Sequence, residues 1–330
     1  MGRTGLGGTP APGFTLVNQF GQSVSLQSLR GKAVVLAFTD SECTTICPLT
    51  TASMTQALHM LGHAAKDVAL IGVNANPTAT SVQDVYNYSK LHGMLHSWQF
   101  LTGSVSQLRS VWRAYHIEVA IIQGNIDHTP ALYLIDPQGR ERYLYTTNGL
   151  YGAVSAESHI LAYDIARVLP KGAAQVAPPP RPPASYLSSP KTPMTLPSLL
   201  PGAKPTTLGP GSAHVVVFFA SWVPDVQSQL AALNAYQSWA TANGAPTVVA
   251  IDEQVTEPSA AAARLSVADL HLSFPVLVDK TGFVADTYRV KDLAWISIYS
   301  AQGKIIDSHD GWVAPSALIQ RVQKDLHLGG

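Results

Sequence analysis

The sequence predicts an α/β protein in which one unit, a central mixed β-sheet flanked by helices, occurs twice across a Pro-rich linker. Three observations predict it. The chain has 330 residues, enough for two domains of ordinary size. Eleven of its 23 prolines fall between Pro178 and Pro210, starting with the run from Ala177 to Pro183. Such a stretch favours extended polyproline II and propagates neither a helix nor a central strand. On both sides of it the same succession of apolar runs and amphipathic segments recurs. Phe38, Ser41 and Cys43 align with Phe218, Ser221 and Val223 at an offset of 180 residues. The expected organisation is a flexible N-terminal segment over 1–9, a first domain over 10–170, a linker over 171–192 and a second domain over 193–330.

In the first half, Val34 to Phe38 is a short apolar run of the buried-strand type. A helical stretch follows the cysteine segment, with Met54, Leu58 and Leu61 on one face. Val68 to Val73 reads as a strand, Ser81 to His92 and Gln107 to Tyr115 as helices. Leu132 to Ile135 reads as a strand that enters the turn Asp136-Pro-Gln-Gly139, with Arg142 to Thr146 as its hairpin partner. Glu157 to Leu169 closes the domain as a helix. The second half repeats the order: strand Val215 to Phe219, helix Gln227 to Ala242, strand Thr247 to Ile251, helix Ala260 to Leu270, strand Ile296 to Tyr299 and helix Pro315 to Leu326. Mixed βαβ and ββα order implies a sheet covered by helices on both faces.

Composition narrows the chemistry. Apolar residues make up 46% and charged residues 13%, with 21 Lys+Arg against 21 Asp+Glu. A neutral chain has no general electrostatic attraction for nucleic acid or anionic lipid. The Gly-rich start lacks the strand and helix of a phosphate cradle, which argues against a nucleotide. No stretch reaches 18 uninterrupted apolar residues, and the opening Met1 to Gly13 reads as a tether rather than a signal. The two cysteines, Cys43 and Cys47, exclude a disulfide-stapled mini-domain and a four-cysteine zinc site within one chain.

Those two cysteines stand between a buried strand and a helix, in Thr39-Asp-Ser-Glu-Cys43-Thr-Thr-Ile-Cys47-Pro48. A helix N-terminus stabilises thiolate over thiol. The four-residue spacing predicts both sulfurs on one helical face, one turn apart. They can close a disulfide or grip one soft metal ion. His128, before the strand Leu132 to Ile135, is placed to complete a Cys2His set. Two sulfurs and an imidazole suit copper, including Cu(I), whereas zinc requires a fourth ligand or water.

The first domain resembles the SCO/SenC family of copper-handling, thioredoxin-like proteins. The resemblance rests on Pro12-x-Phe14-x-Leu16, Gly21, Gly31-Lys32, Cys43-x-x-x-Cys47-Pro48, Leu101-Thr-Gly-Ser104, and Asp127-His128 before Tyr133-Leu-Ile-Asp136. It implies a thioredoxin-like fold and copper held by Cys43, Cys47 and His128. It also implies copper delivery to the CuA centre of cytochrome c oxidase, with subunit II as the protein partner, or dithiol reduction of that centre. The implied location is the extracytoplasmic face of the bacterial cell membrane, usually with an N-terminal anchor. The alternative is a thiol-disulfide oxidoreductase acting on extracytoplasmic proteins, with Cys43 and Cys47 as its catalytic pair. Val73-Asn-Ala-Asn-Pro77 stands where the family has an acidic segment, which puts partner docking by that loop in doubt. Pro130 stands where thioredoxin-like proteins keep a cis proline, with an ordinary trans turn as the other reading.

In the second half, Phe218-Phe-Ala-Ser-Trp222-Val-Pro-Asp-Val226 resembles the active site of TlpA/ResA-type thioredoxin-like proteins, with Val223 and Val226 at both cysteine positions. The resemblance implies a degenerate thioredoxin-like domain without thiol chemistry. Ala294 stands at its cis-proline position. Two smaller signals are the pairs His59/His63 and His92/His96, with Met60 and Met94 near them, as accessory copper donors or solvated helix ends.

Overall fold

The computed structural model describes residues 2–146, 153–170, 172–179 and 193–326. The chain divides into two compact units, 1–150 with 157–179, and 151–156 with 180–330. The expected linker over 171–192 lies mostly outside the described residues, at 171 and 180–192.

In the first unit the strands are β1 (Gly2–Gly5), β2 (Thr15–Val17), β3 (Ser23–Ser25), β4 (Ala33–Thr39), β5 (Val68–Asn74), β6 (Gln99–Leu101), β7 (Val119–Ile122), β8 (Asn125–His128), β9 (Ala131–Ile135) and β10 (Glu141–Thr146). The helices are α1 (Ile46–Leu61), α2 (Val82–Leu91), α3 (Val105–Ala114) and α4 (Val154–Val168). Six strands form one mixed sheet in the order β1-β10-β9-β4-β5-β6. β4 pairs parallel with β5 and antiparallel with β9. Every residue of β4 is buried, because alternate side chains enter different cores. Ala33, Val35 and Ala37 pack with Met54, Leu61, Leu161 and Ile165. Val34, Leu36 and Phe38 pack with Leu108, Val111 and Trp112. Helix boundaries follow from capping: Ser81 and Ser104 each accept from the backbone N–H three residues on, and the residues there, Asp84 and Gln107, return the bond.

The N-terminal segment departs from expectation. Gly2–Gly5 is not a loose tether but an edge strand, paired antiparallel with β10. Arg3 reaches Asp164 on α4 at 2.9 Å, and the Tyr145 hydroxyl donates to the same carboxylate at 2.8 Å. The anticipated turn after β9 is present: Gly139 sits at φ +71°, and a Cβ there would crowd the Arg30 guanidinium. Glycine is required by the backbone, whereas the crowding is with the end of a flexible side chain.

In the second unit the strands are β11 (Met194–Leu196), β12 (Thr206–Leu208), β13 (His214–Phe219), β14 (Thr247–Asp252), β15 (Val276–Val278), β16 (Trp295–Tyr299) and β17 (Ile305–Asp310). The helices are α5 (Val226–Asn243), α6 (Ala260–Val267), α7 (Phe283–Thr287) and α8 (Pro315–Asp325). Its main sheet runs β15-β14-β13-β16-β17, with β13 and β14 parallel and β16 antiparallel to β13. Among the described residues the cis peptide bond is Leu293–Ala294, so Thr129–Pro130 is trans. The fold class is mixed α/β, as the sequence indicated.

Candidate metal centre

The thiols lie where β4 gives way to α1. The expected placement of both cysteines on the helix is incorrect: α1 begins at Ile46 with Thr45 as N-cap, so Cys43 sits in the preceding turn. Thr44 and Thr45 favour a helix boundary over a helix interior. The sulfurs nevertheless meet. Thr45 makes no side-chain cap bond, and the Cys47 N–H donates to Cys43 Sγ at 3.4 Å. Sulfur thus takes the role usually filled by a capping oxygen. The Cys43 N–H donates to Asp40 O at 3.2 Å, which closes the turn.

His128 arrives from another element. It ends β8, the second strand of the hairpin β7–β8, which stands apart from the main sheet. Its Nε2 lies 3.9 Å from Cys47 Sγ, and its Nδ1 lies 3.2 Å from the Thr129 carbonyl oxygen. A carbonyl can only accept, so the proton belongs on Nδ1 and the Nε2 lone pair faces Cys47. The structure therefore brings together the three residues expected from the sequence. In this conformation they do not converge on one point: among the described residues no three His, Cys, Asp or Glu side chains stand close enough to hold an ion. Both cysteines are free thiols.

The two sulfurs differ in charge. A hydrogen bond from Cys47 is the main force that lowers the Cys43 pKa to about 6, helped by Thr45 against the cost of burial. The same bond raises the Cys47 thiol well above its ordinary value, with burial and the charge of Cys43 adding to it. Burial lowers the pKa of His128. At neutral pH the site holds a Cys43 thiolate, a Cys47 thiol and a neutral imidazole. Two soft donors and one imidazole are a set for a soft, thiophilic metal ion, and a low-pKa thiolate beside a buried partner is a set for disulfide exchange.

Several participants were not visible in the sequence. A cavity of about 30 Å3 is lined by Cys47, His128, Pro130, Tyr145 and Glu157, room for a water or a single ion. Burial raises the Glu157 carboxyl pKa to about 7. Asp40, Glu42 and Asn76 join behind the cysteine turn. The expected accessory donors do not assemble. His59 and His63 are exposed, His92 packs on the Tyr88 ring at 4.5 Å, and Met94 accepts from the Thr55 hydroxyl at 3.1 Å.

Residues 7–159 match the family model described as SCO1/SenC. The SCO1 protein homolog of Bacillus subtilis (strain 168) is 30% identical over 132 residues, which cover 38% of this chain and 68% of that relative. Protein SCO1 homolog 1, mitochondrial, of Arabidopsis thaliana is 28% identical over 144 residues, 42% of this chain and 41% of the relative. The chain thus spans about two thirds of the first of these and less than half of the second. Among solved structures, ScoI of Bradyrhizobium japonicum with copper bound aligns at 23% identity over 49% of this chain and 100% of its own, with a TM-score of 0.42. The first unit carries the Cys-x-x-x-Cys-Pro turn and a histidine delivered beside it, and with the Bacillus relative and the family match this establishes that the chain belongs to the SCO1/SenC family.

Proposed function

We propose that this chain is a copper-handling assembly factor. Copper, as Cu(I) or Cu(II), is its cargo, taken by Cys43, Cys47 and His128. It serves the CuA centre of cytochrome c oxidase, by delivering the ion or by reducing the cysteines of that centre, and subunit II is the partner. The observation that carries this reading is the 3.9 Å approach of His128 Nε2 to Cys47 Sγ from a hairpin separate from the thiol helix. Exchange between dithiol and disulfide needs no imidazole there, whereas a copper ion does. The copper-bound ScoI neighbour is consistent with it. The donors need a small rearrangement to enclose an ion; Cys43 and His128 are half-buried, whereas Cys47 is buried on α1.

The location that fits this role is the extracytoplasmic face of the cell membrane. Among the described residues no helix is long and apolar enough to cross a membrane. The second unit is read as a degenerate TlpA/ResA-like thioredoxin domain that docks or orients a partner. Its strand order β15-β14-β13-β16-β17 repeats β6-β5-β4-β9-β10 of the first unit, and Val223 and Val226, both buried, stand where thiols would be.

The depressed Cys43 pKa favours a second reading, a thiol-disulfide oxidoreductase. In it the Cys43 thiolate attacks a partner disulfide and releases one partner thiolate. Cys47 then resolves the mixed disulfide, leaving Cys43–Cys47 oxidised and the partner reduced by two electrons. Anaerobic Cu(I) titration separates the two. The copper reading expects one equivalent per chain, lost in Cys43→Ser and strongly weakened in His128→Ala. Unchanged binding in His128→Ala together with brisk disulfide reduction overturns it.

A further inference from the structure

We propose that Asn76 is a positioning residue for the thiol site, acting through Asp40 and Glu42. This deepens the copper reading and rests on it for the ligand, though not for the geometry. Asn76 has no solvent exposure and stands in the loop after β5, whereas Asp40 and Glu42 stand in the loop after β4 that delivers Cys43. Its Nδ2 donates to Asp40 Oδ1 at 2.7 Å and to Glu42 Oε2 at 3.0 Å. The amide orientation follows from the other side, because Oδ1 accepts from the Thr78 N–H at 2.7 Å, the Thr78 hydroxyl at 2.6 Å and the Ala79 N–H at 3.1 Å. Only the NH2 group is left to face the acids. An aspartate here would set a third carboxylate against two others.

Two further bonds stitch the same two segments, and a third folds the second segment onto itself. The Ala75 N–H donates to Thr39 O at 2.8 Å, the Ser41 hydroxyl to Ala79 O at 2.9 Å, and Asn74 Nδ2 to Ala79 O at 2.6 Å. The Glu42 N–H donates to Asp40 Oδ1 at 2.8 Å, so one carboxylate organises both the turn and its link to Asn76. Asp40 O in turn receives the Cys43 N–H. The chain of bonds therefore runs from Asn76 through Asp40 to the backbone of Cys43. Partners behind a ligand set its orientation, and removing one typically weakens metal affinity about 10- to 100-fold.

The test uses the full chain and two readouts, Cu(I) affinity by anaerobic competition titration and the rate at which iodoacetamide alkylates Cys43. In Asn76→Ala and Asn76→Asp, Cu(I) affinity falls at least about tenfold, and alkylation of Cys43 accelerates as its turn loosens. The triple variant Asn76→Asp, Asp40→Asn, Glu42→Gln restores donor–acceptor pairing between position 76 and its two partners but sets the new amide at position 40 against the backbone N–H of position 42, so alkylation slows relative to Asn76→Asp without returning fully to the rate of the unmodified chain. Should Asn76→Asp fail to fold, Asn76→Ala and the triple variant carry the comparison. A folded Asn76→Ala with unaltered alkylation rate and Cu(I) affinity overturns the proposal. Absence of Cu(I) binding by the unmodified chain overturns the copper reading instead, and the alkylation arm then decides the role of Asn76 alone.

Discussion

The backbone N–H of Cys47 points at the sulfur of Cys43 over 3.4 Å, so the second cysteine supports the first through its main chain as well as its side chain. The charge separation between them follows: Cys43 is held near pKa 6 and Cys47 well above the usual thiol range.

Alkylation of Cys43 by iodoacetamide, followed against pH by mass spectrometry, should show its inflection near 6. Cys47 should remain unmodified through neutral pH, since it is both buried and protonated. An inflection for Cys43 in the range of an ordinary free thiol, about 8.5, would contradict the hydrogen-bonding pattern at the turn.

The second unit should be more stable in acid. Asp252 and Glu253 have no solvent exposure, and among the described residues no hydrogen-bond partner reaches either oxygen of Glu253. Burial raises the pKa of both, and Asp252 is raised further by Glu257, Glu253 by Asp279, Asp286 and Asp252. Burial raises Glu257 and Asp279 as well. The native state therefore binds more protons than the unfolded chain once pH exceeds the ordinary values of 3.8 and 4.5. Stability is fully present below those values and is lost as pH climbs through the raised ones. Hydrogen exchange in the second unit should slow from pH-corrected neutral conditions toward pH 5, and Glu253→Gln should remove part of that dependence. A unit that grows more protected with rising pH would refute this.

Arg3→Ala should cost about 1–2 kcal/mol in denaturant unfolding of the first unit. It leaves the buried Asp164 carboxylate with Tyr145, and a hydrogen bond to a charged group is worth about 1.5–3 kcal/mol. The lower figure reflects the 44% exposure of the Arg3 side chain, which weakens the pair by solvent screening. No change in the unfolding midpoint would mean that the Arg3–Asp164 pair adds nothing to the stability of the unit.

Gly139→Ala should destabilise the same unit by about 1–3 kcal/mol through its left-handed backbone, and more if Arg30 cannot withdraw from the new methyl group. Equilibrium denaturation reads this directly, and a neutral effect would show that the turn can rearrange.

What the sequence disclosed follows the strength of each local signal. β4 and β5 are continuous apolar runs because both faces are covered, and α2 and α3 carry serine caps with a partner three residues on. The hairpin that bears His128 is illegible in the sequence because neither strand has a buried face: Ala120, Ile121 and Ile122 are exposed, and β8 alternates only between exposed and half-buried positions. β1 was missed for the opposite reason: its glycines read as flexible until β10 supplies the pairing. His128 was found through its neighbours in sequence, whereas Glu157 and Asn76 enter the site through tertiary packing that no local pattern encodes. The cysteine spacing was right as chemistry and wrong as geometry, since Thr44 and Thr45 delay the helix until after Cys43.

Both sulfhydryl groups of the chain lie at one junction, where the turn after β4 enters α1. With two cysteines the number of possible intrachain pairings is one. In an oxidising compartment the chain therefore has no scrambled isomers to escape, and its folding needs no enzyme to reshuffle bonds. Any electrophile, spin label or cross-linker aimed at thiols reports on that single junction, while the second unit stays chemically silent throughout.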